Sequence, residues 1–138
     1  MATLDASSID KFAFDFEELA RLPDDVVEAM LEAEGEVIKA GQAETAKNML
    51  QGPYNKGAVS RAPHLGKIKR TKDGKALYVS FAGTQHGTRV AEIAFLNEFG
   101  KQGQSPRQFI RAANEKYADK AVDAAERIYN QYLNKHGF

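Results

Sequence analysis

Apolar positions along the chain change period several times, and each change marks an element. In "KFAFDFEEL" Phe12, Phe14 and Phe16 recur at every second residue, the pattern of a short strand with one apolar face. Near a terminus such a strand would add to a sheet edge; a frayed arm whose phenylalanines dock separately is the alternative. The next stretch, "LPDDVVEAMLEAEGEVIKAGQAETAKNML", shifts to spacings of three, four and seven through Val27, Met30, Leu31, Val37, Ile38, Thr45 and Met49. That predicts a long amphipathic helix. Pro23 suits its first position, and Asp24, Asp25 and Glu28 lie near the positive end of its dipole. Gly35 and Gly41 each cost about 1 kcal/mol relative to alanine there. They mark either a close approach by another part of the chain or a local imperfection.

The glycines and prolines of "QGPYNKGAVSRAPHLG" predict that residues 51–66 form a long mobile loop. "KIKRTKDGKALYVSF" reads as a β-hairpin turning at Asp73-Gly74, with Leu77, Val79 and Phe81 on one face and Tyr78 and Ser80 on the other. "AGTQHGT" is a turn. "RVAEIAFLNEF" alternates through Ala91, Ile93 and Phe95 and predicts a strand that tightens into a turn before Gly100. The last long helix is expected to start in "SPRQFIRAA", with Ser105 as its cap, Pro106 at the first position and Gln108 completing a capping box. Phe109, Ala113, Tyr117, Ala121, Ala124, Ile128 and Leu133 form its apolar stripe. Together these elements amount to two long helices with short strands before and between them. The 138 residues suit a single domain, 1–138, with residues 1–11 as a flexible arm.

Charge adds a partition that the pattern alone does not show. Formal net charge is zero, yet nine acids and one base fall between Asp15 and Glu36, and eight bases and one acid between Lys47 and Lys75. Separated faces of this kind complement one another between copies of a chain; two solvated faces with no partner are the plainer reading. Candidate interface residues are Glu28, Glu32 and Glu36 on the acidic side and Lys67, Lys69, Arg70 and Lys72 on the basic side. Tyr54, Tyr129 and Tyr132, with Phe12 and Phe14, are candidate aromatic anchors.

Chemistry is sparse. Cysteine is absent, which excludes disulfides, thiolate metal sites and cysteine nucleophiles. His64, His86 and His136 have no metal-ligand spacing, and no nucleophile elbow, phosphate loop or dinucleotide fingerprint occurs. An enzyme, a cofactor and a metal are therefore not expected. Nor is a membrane segment, because apolar runs such as "IAFL" are short, or a secretion signal in "MATLDASSIDK". Glu98, between Phe95 and Phe99, is read as a carboxylate pairing with Arg107 or Arg111 to fix loop to helix. The hairpin at 67–75 keeps a nucleic-acid-binding module open as an alternative, although specific binding is not expected.

One stretch carries a wider likeness. "AEIAFLNEFGKQGQSPRQFIRAA" is similar to a segment of the tail-completion, or head–tail joining, proteins of long-tailed bacteriophages and prophages. In that family Glu-aromatic-Gly is followed by a short loop and by Pro-x-x-Phe-Ile/Leu-Arg-x-Ala at the start of the final helix. The pattern falls here on Glu98, Phe99, Gly100, Pro106, Phe109, Ile110, Arg111 and Ala113. "FEELARLPDDVVEAM" resembles the family's leading segment, and "NMLQGPYNKGAVSRAP" its glycine-containing loop, with Lys56 standing where the family has threonine. The resemblance implies an α+β fold, two long α-helices packed on a small antiparallel β-sheet, and a virion protein forming a homo-oligomeric ring, hexameric by likeness, at the neck. Its partners would be the tail-tube and head-closure or connector proteins, and it would be assembled in the bacterial cytoplasm. A head-closure or adaptor ring is the alternative position. Glu98, Phe99, Gly100, Ser105, Pro106, Phe109 and Arg111 would then form a stiff corner that sets one packed layer against another.

Overall fold

In the computed structural model, residues 22–50, 57–72 and 74–136 are described. The expected strand at Phe12–Phe16, the arm at 1–11, and Tyr54 lie outside them. Helix α1 runs Asp24–Met49 and helix α3 runs Phe109–Lys135. They lie antiparallel: Gln42 in the second half of α1 donates to Asn114 Oδ1 near the start of α3 at 3.1 Å. Pro23 caps α1 from outside, one position earlier than expected.

The seam between the helices is built from small residues. The buried positions of α1 are Gly35, Gly41, Gln42 and Ala46, and those of α3 are Phe109, Ala113, Ala118, Ala121 and Ala125. The larger stripe residues Val27, Met30, Leu31, Val37 and Ile38 are only half-buried and Met49 is exposed. The two glycines are close-approach positions. A Cβ at Gly41 would stand 2.5 Å from the Tyr117 ring, and one at Gly35 would stand 2.7 Å from Leu65 Cδ2 and 2.9 Å from Leu77 Cδ2.

The hairpin is longer than its sequence suggests. Strand β1 (Pro63–Leu65) pairs antiparallel with β4 (Val79–Phe81), while β2 (Lys69–Thr71) pairs with β3 (Gly74–Ala76). Backbone bonds from Ala82 to Ala62 and from Gly66 to Tyr78 extend the outer ladder. Between the ladders two residues, Lys67 and Ile68, stand opposite one, Leu77, which is a β-bulge. Of the loop expected at 51–66, residues 51–56 lie outside the described residues; in the rest, Gly57–Arg61 turns back on itself and Pro63–Leu65 is a strand, not loop. At the tip Thr71 faces Gly74, so Gly74 opens β3 and Lys72 enters the turn; Asp73 lies outside the described residues. The in-and-out alternation is as expected, with Leu77, Val79 and Phe81 partly buried and Tyr78 and Ser80 exposed.

The stretch after the hairpin overturns an expectation. Strands β5 (Thr84–Gln85) and β6 (Thr88–Arg89) form a minimal hairpin around His86 and Gly87, both at positive φ. The chain then enters helix α2, Val90–Phe99, where a strand was expected. Its buried positions are Val90, Ala94 and Glu98, at helical spacing. The core collects Ala46 and Leu50 from the end of α1, Val59 and Ala62 from the turn, Val90 and Ala94 from α2, and Phe109. Phe81 meets Phe109 edge-on at 5.8 Å. The fold class is α+β as expected, with the helix pair dominant and the strands in two-stranded antiparallel pieces.

Candidate functional site

Glu98 holds the junction from α2 to α3. Its Oε2 accepts the backbone N–H of Ile110 at 2.7 Å, and its Oε1 accepts that of Arg111 at 3.1 Å. The first-turn N–H groups of a helix have no partner within it. A buried carboxylate there supplies two acceptors and sits at the positive end of the dipole. Glu98 also lies in the last turn of α2, where that helix's own dipole disfavours an anion. Two short hydrogen bonds from α3 outweigh a through-space term that falls off within a turn. So Glu98 does fix loop to helix, but through backbone N–H groups and not through the Arg107 or Arg111 side chain. Arg111 instead bonds Glu115 at 3.1 Å.

This arrangement corrects the expected helix start. The helix begins at Phe109; Ser105 makes no capping bond, and Ser105, Pro106 and Arg107 are exposed. Gln108, the residue before the helix, is left-handed with φ 44°. Arg107 N–H donates to Asn97 O at 2.8 Å and Gln108 N–H to Glu98 O at 3.3 Å, which lays the segment before α3 against the end of α2. Asn97 in turn accepts from Gln104 Nε2 at 3.4 Å. Gly100 closes α2 with φ 81°, and a Cβ there would stand 2.9 Å from Gln104 O and from Pro106 N and Cδ. Both the left-handed backbone and the lack of room demand glycine.

The two phenylalanines of the corner part company. Phe109 is completely buried, while Phe99 is 64% exposed and does not close over Gly100. Phe99 lies against Phe95, itself 59% exposed, with ring centroids 4.8 Å apart. With Leu96 they form an apolar ridge along the outer face of α2. It borders a hollow of about 410 Å³ lined by Arg89, Ala91, Glu92, Phe95 and Leu96. Reading 90–99 as a helix, with 92, 95, 96 and 99 on one face, would have exposed the ridge in the sequence.

The segregated charges meet partly within the chain. Lys75, the base on β3 that turns inward, bonds Glu28 Oε1 at 2.6 Å and lies 3.4 Å from Asp24. The bond to Glu28, with help from Asp24, holds the Lys75 pKa above its ordinary value. Arg70 approaches Asp24 at 3.5 Å. Glu28 and Arg70, expected to reach a neighbouring subunit, thus pin the hairpin tip to the start of α1. Lys67, Lys69 and Lys72 are exposed, as are Glu32 and Glu36; Glu36 has Lys39 at 4.0 Å. Lys69 lies over the Tyr78 ring at 5.8 Å. Tyr132 packs on His136, and Tyr129 is half-buried in α3.

Catalytic geometry is thin by comparison. Ser80 Oγ lies 3.4 and 3.5 Å from the two ring nitrogens of His64, too evenly placed for a directed O–H···N bond. Among the described residues no cluster of metal-ligating side chains forms, and no helix is long and apolar enough to cross a membrane. Comparison of the chain with protein-family models, curated proteins and solved structures finds no match.

Proposed function

We propose that this chain is a structural protein of a tailed bacteriophage or prophage-like particle. It forms a ring at the neck that completes the tail and joins it to the head connector. The sequence likeness supports this reading, and one observation carries it. The residues of that likeness, Glu98, Phe99, Gly100, Pro106, Phe109 and Arg111, come together at a single corner. There a buried carboxylate clamps two helices while its neighbour Phe99 is held out to solvent beside Phe95. An exposed aromatic pair on a rigid mount suits a docking anchor, because little side-chain freedom is left to lose on binding.

The work of such a protein is assembly without turnover. The corner fixes the angle between α2 and α3, and so fixes where the ridge points relative to the long helix pair. Partners that seat on the ridge are oriented by that angle. Deleting the gene from the particle-forming genome and imaging the products tests the proposal. Headless tails of irregular length are expected; full heads that leak DNA would move the ring to head closure. Normal, infective particles would overturn a neck role of either kind.

A further inference from the structure

We propose that the groove between α1 and the bend of the long hairpin receives Tyr78 of a second copy of this chain, so that copies add head to tail. This rests on the reading that the chain works by self-assembly, and it names the contact. The groove measures about 440 Å³ and is walled by Ala29, Ala33, Leu65, Leu77 and Ile128. Glu32 and Glu36, one helical turn apart, stand on its rim.

The matching projection lies on the same hairpin. Tyr78 is 57% exposed, a large ring at a position where the strand leaves it without cover. Its neighbour Leu77 points the other way and packs toward Gly35 of α1. Groove wall and projecting ring therefore occupy opposite sides of one thin layer. A subunit's Tyr78 is turned away from its own groove, whereas the Tyr78 of another copy is not.

Charge selects the same pairing. Lys69 lies over the Tyr78 ring, and Lys67 is exposed on the adjoining bulge. Of the hairpin's other bases, the inward Lys75 is engaged by Glu28 and the exposed Arg70 by Asp24. What is left outward is a lysine-flanked aromatic and an acid-rimmed apolar groove, on a chain of zero net charge. Because the two surfaces differ, the contact is heterologous, and repetition closes a ring or extends a filament. Rim charges set register and rate, and the buried ring supplies the affinity.

The test uses the full chain in sedimentation equilibrium, with thermal melts to show that each variant folds. Wild type is expected to form assemblies larger than dimers, loosened by salt. Tyr78→Ala should weaken association about tenfold or more, and Glu32→Lys with Glu36→Lys should do the same. Mixing the two variants restores one live groove and one live projection, so the mixture should stop at 1:1 dimers. Assemblies that ignore both changes would overturn this contact and leave the neck role standing. A wild type that stays monomeric at every concentration, or that binds duplex DNA through Lys67 and Lys69 without self-association, would overturn it too. The neck role answers separately to the imaging of particles.

Discussion

Replacing Glu98 with alanine would remove the side chain that accepts two backbone N–H groups from the first turn of α3. The wild-type carboxylate is 6% exposed and accepts two backbone N–H groups at 2.7 and 3.1 Å. A hydrogen bond to a charged group contributes about 1.5–3 kcal/mol net, and capping substitutions alone cost about 0.5–2 kcal/mol. The two bonds share one helix end and are not independent, so about 3 kcal/mol is expected for the pair. For a chain of this size that lowers the melting temperature by roughly 10 °C. Glu98→Gln keeps the volume and one acceptor oxygen but turns an NH2 toward a backbone N–H; about half the loss is expected. Calorimetric melts of the three proteins read the series. Hydrogen exchange at Ile110 and Arg111 should rise before exchange in the middle of α3. An alanine variant melting within about 1 °C of wild type would refute the clamp.

The corner's two phenylalanines should behave oppositely. Phe109→Ala empties a fully buried site and should cost about 3–5 kcal/mol, whereas Phe99→Ala, at an exposed ring, should cost less than about 1 kcal/mol while impairing particle assembly; equal losses in denaturant titrations would contradict the burial. Gly100→Ala should lose about 2 kcal/mol or more by the same measurement, since its φ of 81° and 2.9 Å contacts both oppose a Cβ; a neutral result would contradict the turn. Burial pushes the Glu34 carboxyl above its ordinary pKa of 4.5, so the folded chain carries that charge less readily than the unfolded chain at neutral pH. Stability from this group is therefore full below the unfolded value and is lost as pH rises through the folded one. Glu34→Gln should raise the melting temperature at pH 7 and leave it unchanged below pH 4.5; a gain of equal size at both would show that charge is not the cause.

The parts of this fold that the sequence discloses are those decided within one turn or one strand. The helical run of α1, the alternation of Leu77, Val79 and Phe81, and the buried positions Phe109, Ala113 and Ala121 of the last helix are local patterns that survive into the structure, whereas the stripe expected on α1 gives way to Gly35, Gly41, Gln42 and Ala46. What escaped depends on distant partners. "VAEIAFLNEF" is apolar at seven of ten positions, so period two and period four both fit it. The deciding residue is Glu98, a carboxylate on the buried face, which any reading that places acids in water assigns to the wrong side. The Ser105–Gln108 capping pattern was locally sound. It lost to an acceptor twelve residues from Ile110, which local spacing cannot anticipate. The pairing of β1 with β4 hid for the same reason, since a bulge at Lys67 and Ile68 displaces the register. Of the proposed assembly surfaces, the lysines and Glu32 and Glu36 were legible as segregated charge. The Phe95–Phe99 ridge was not, because it exists only once 90–99 is helical.

A cryo-electron density map of the intact particle would show whether these residues serve fit between protein chains. Repeated copies of an antiparallel helix pair, 26 and 27 residues long, are expected in a ring at the head–tail junction. Phe95 and Phe99 should be covered by a neighbouring protein, and Tyr78 of each copy should sit in the next copy's groove. A particle whose neck is complete without this chain would rule out a place for it there.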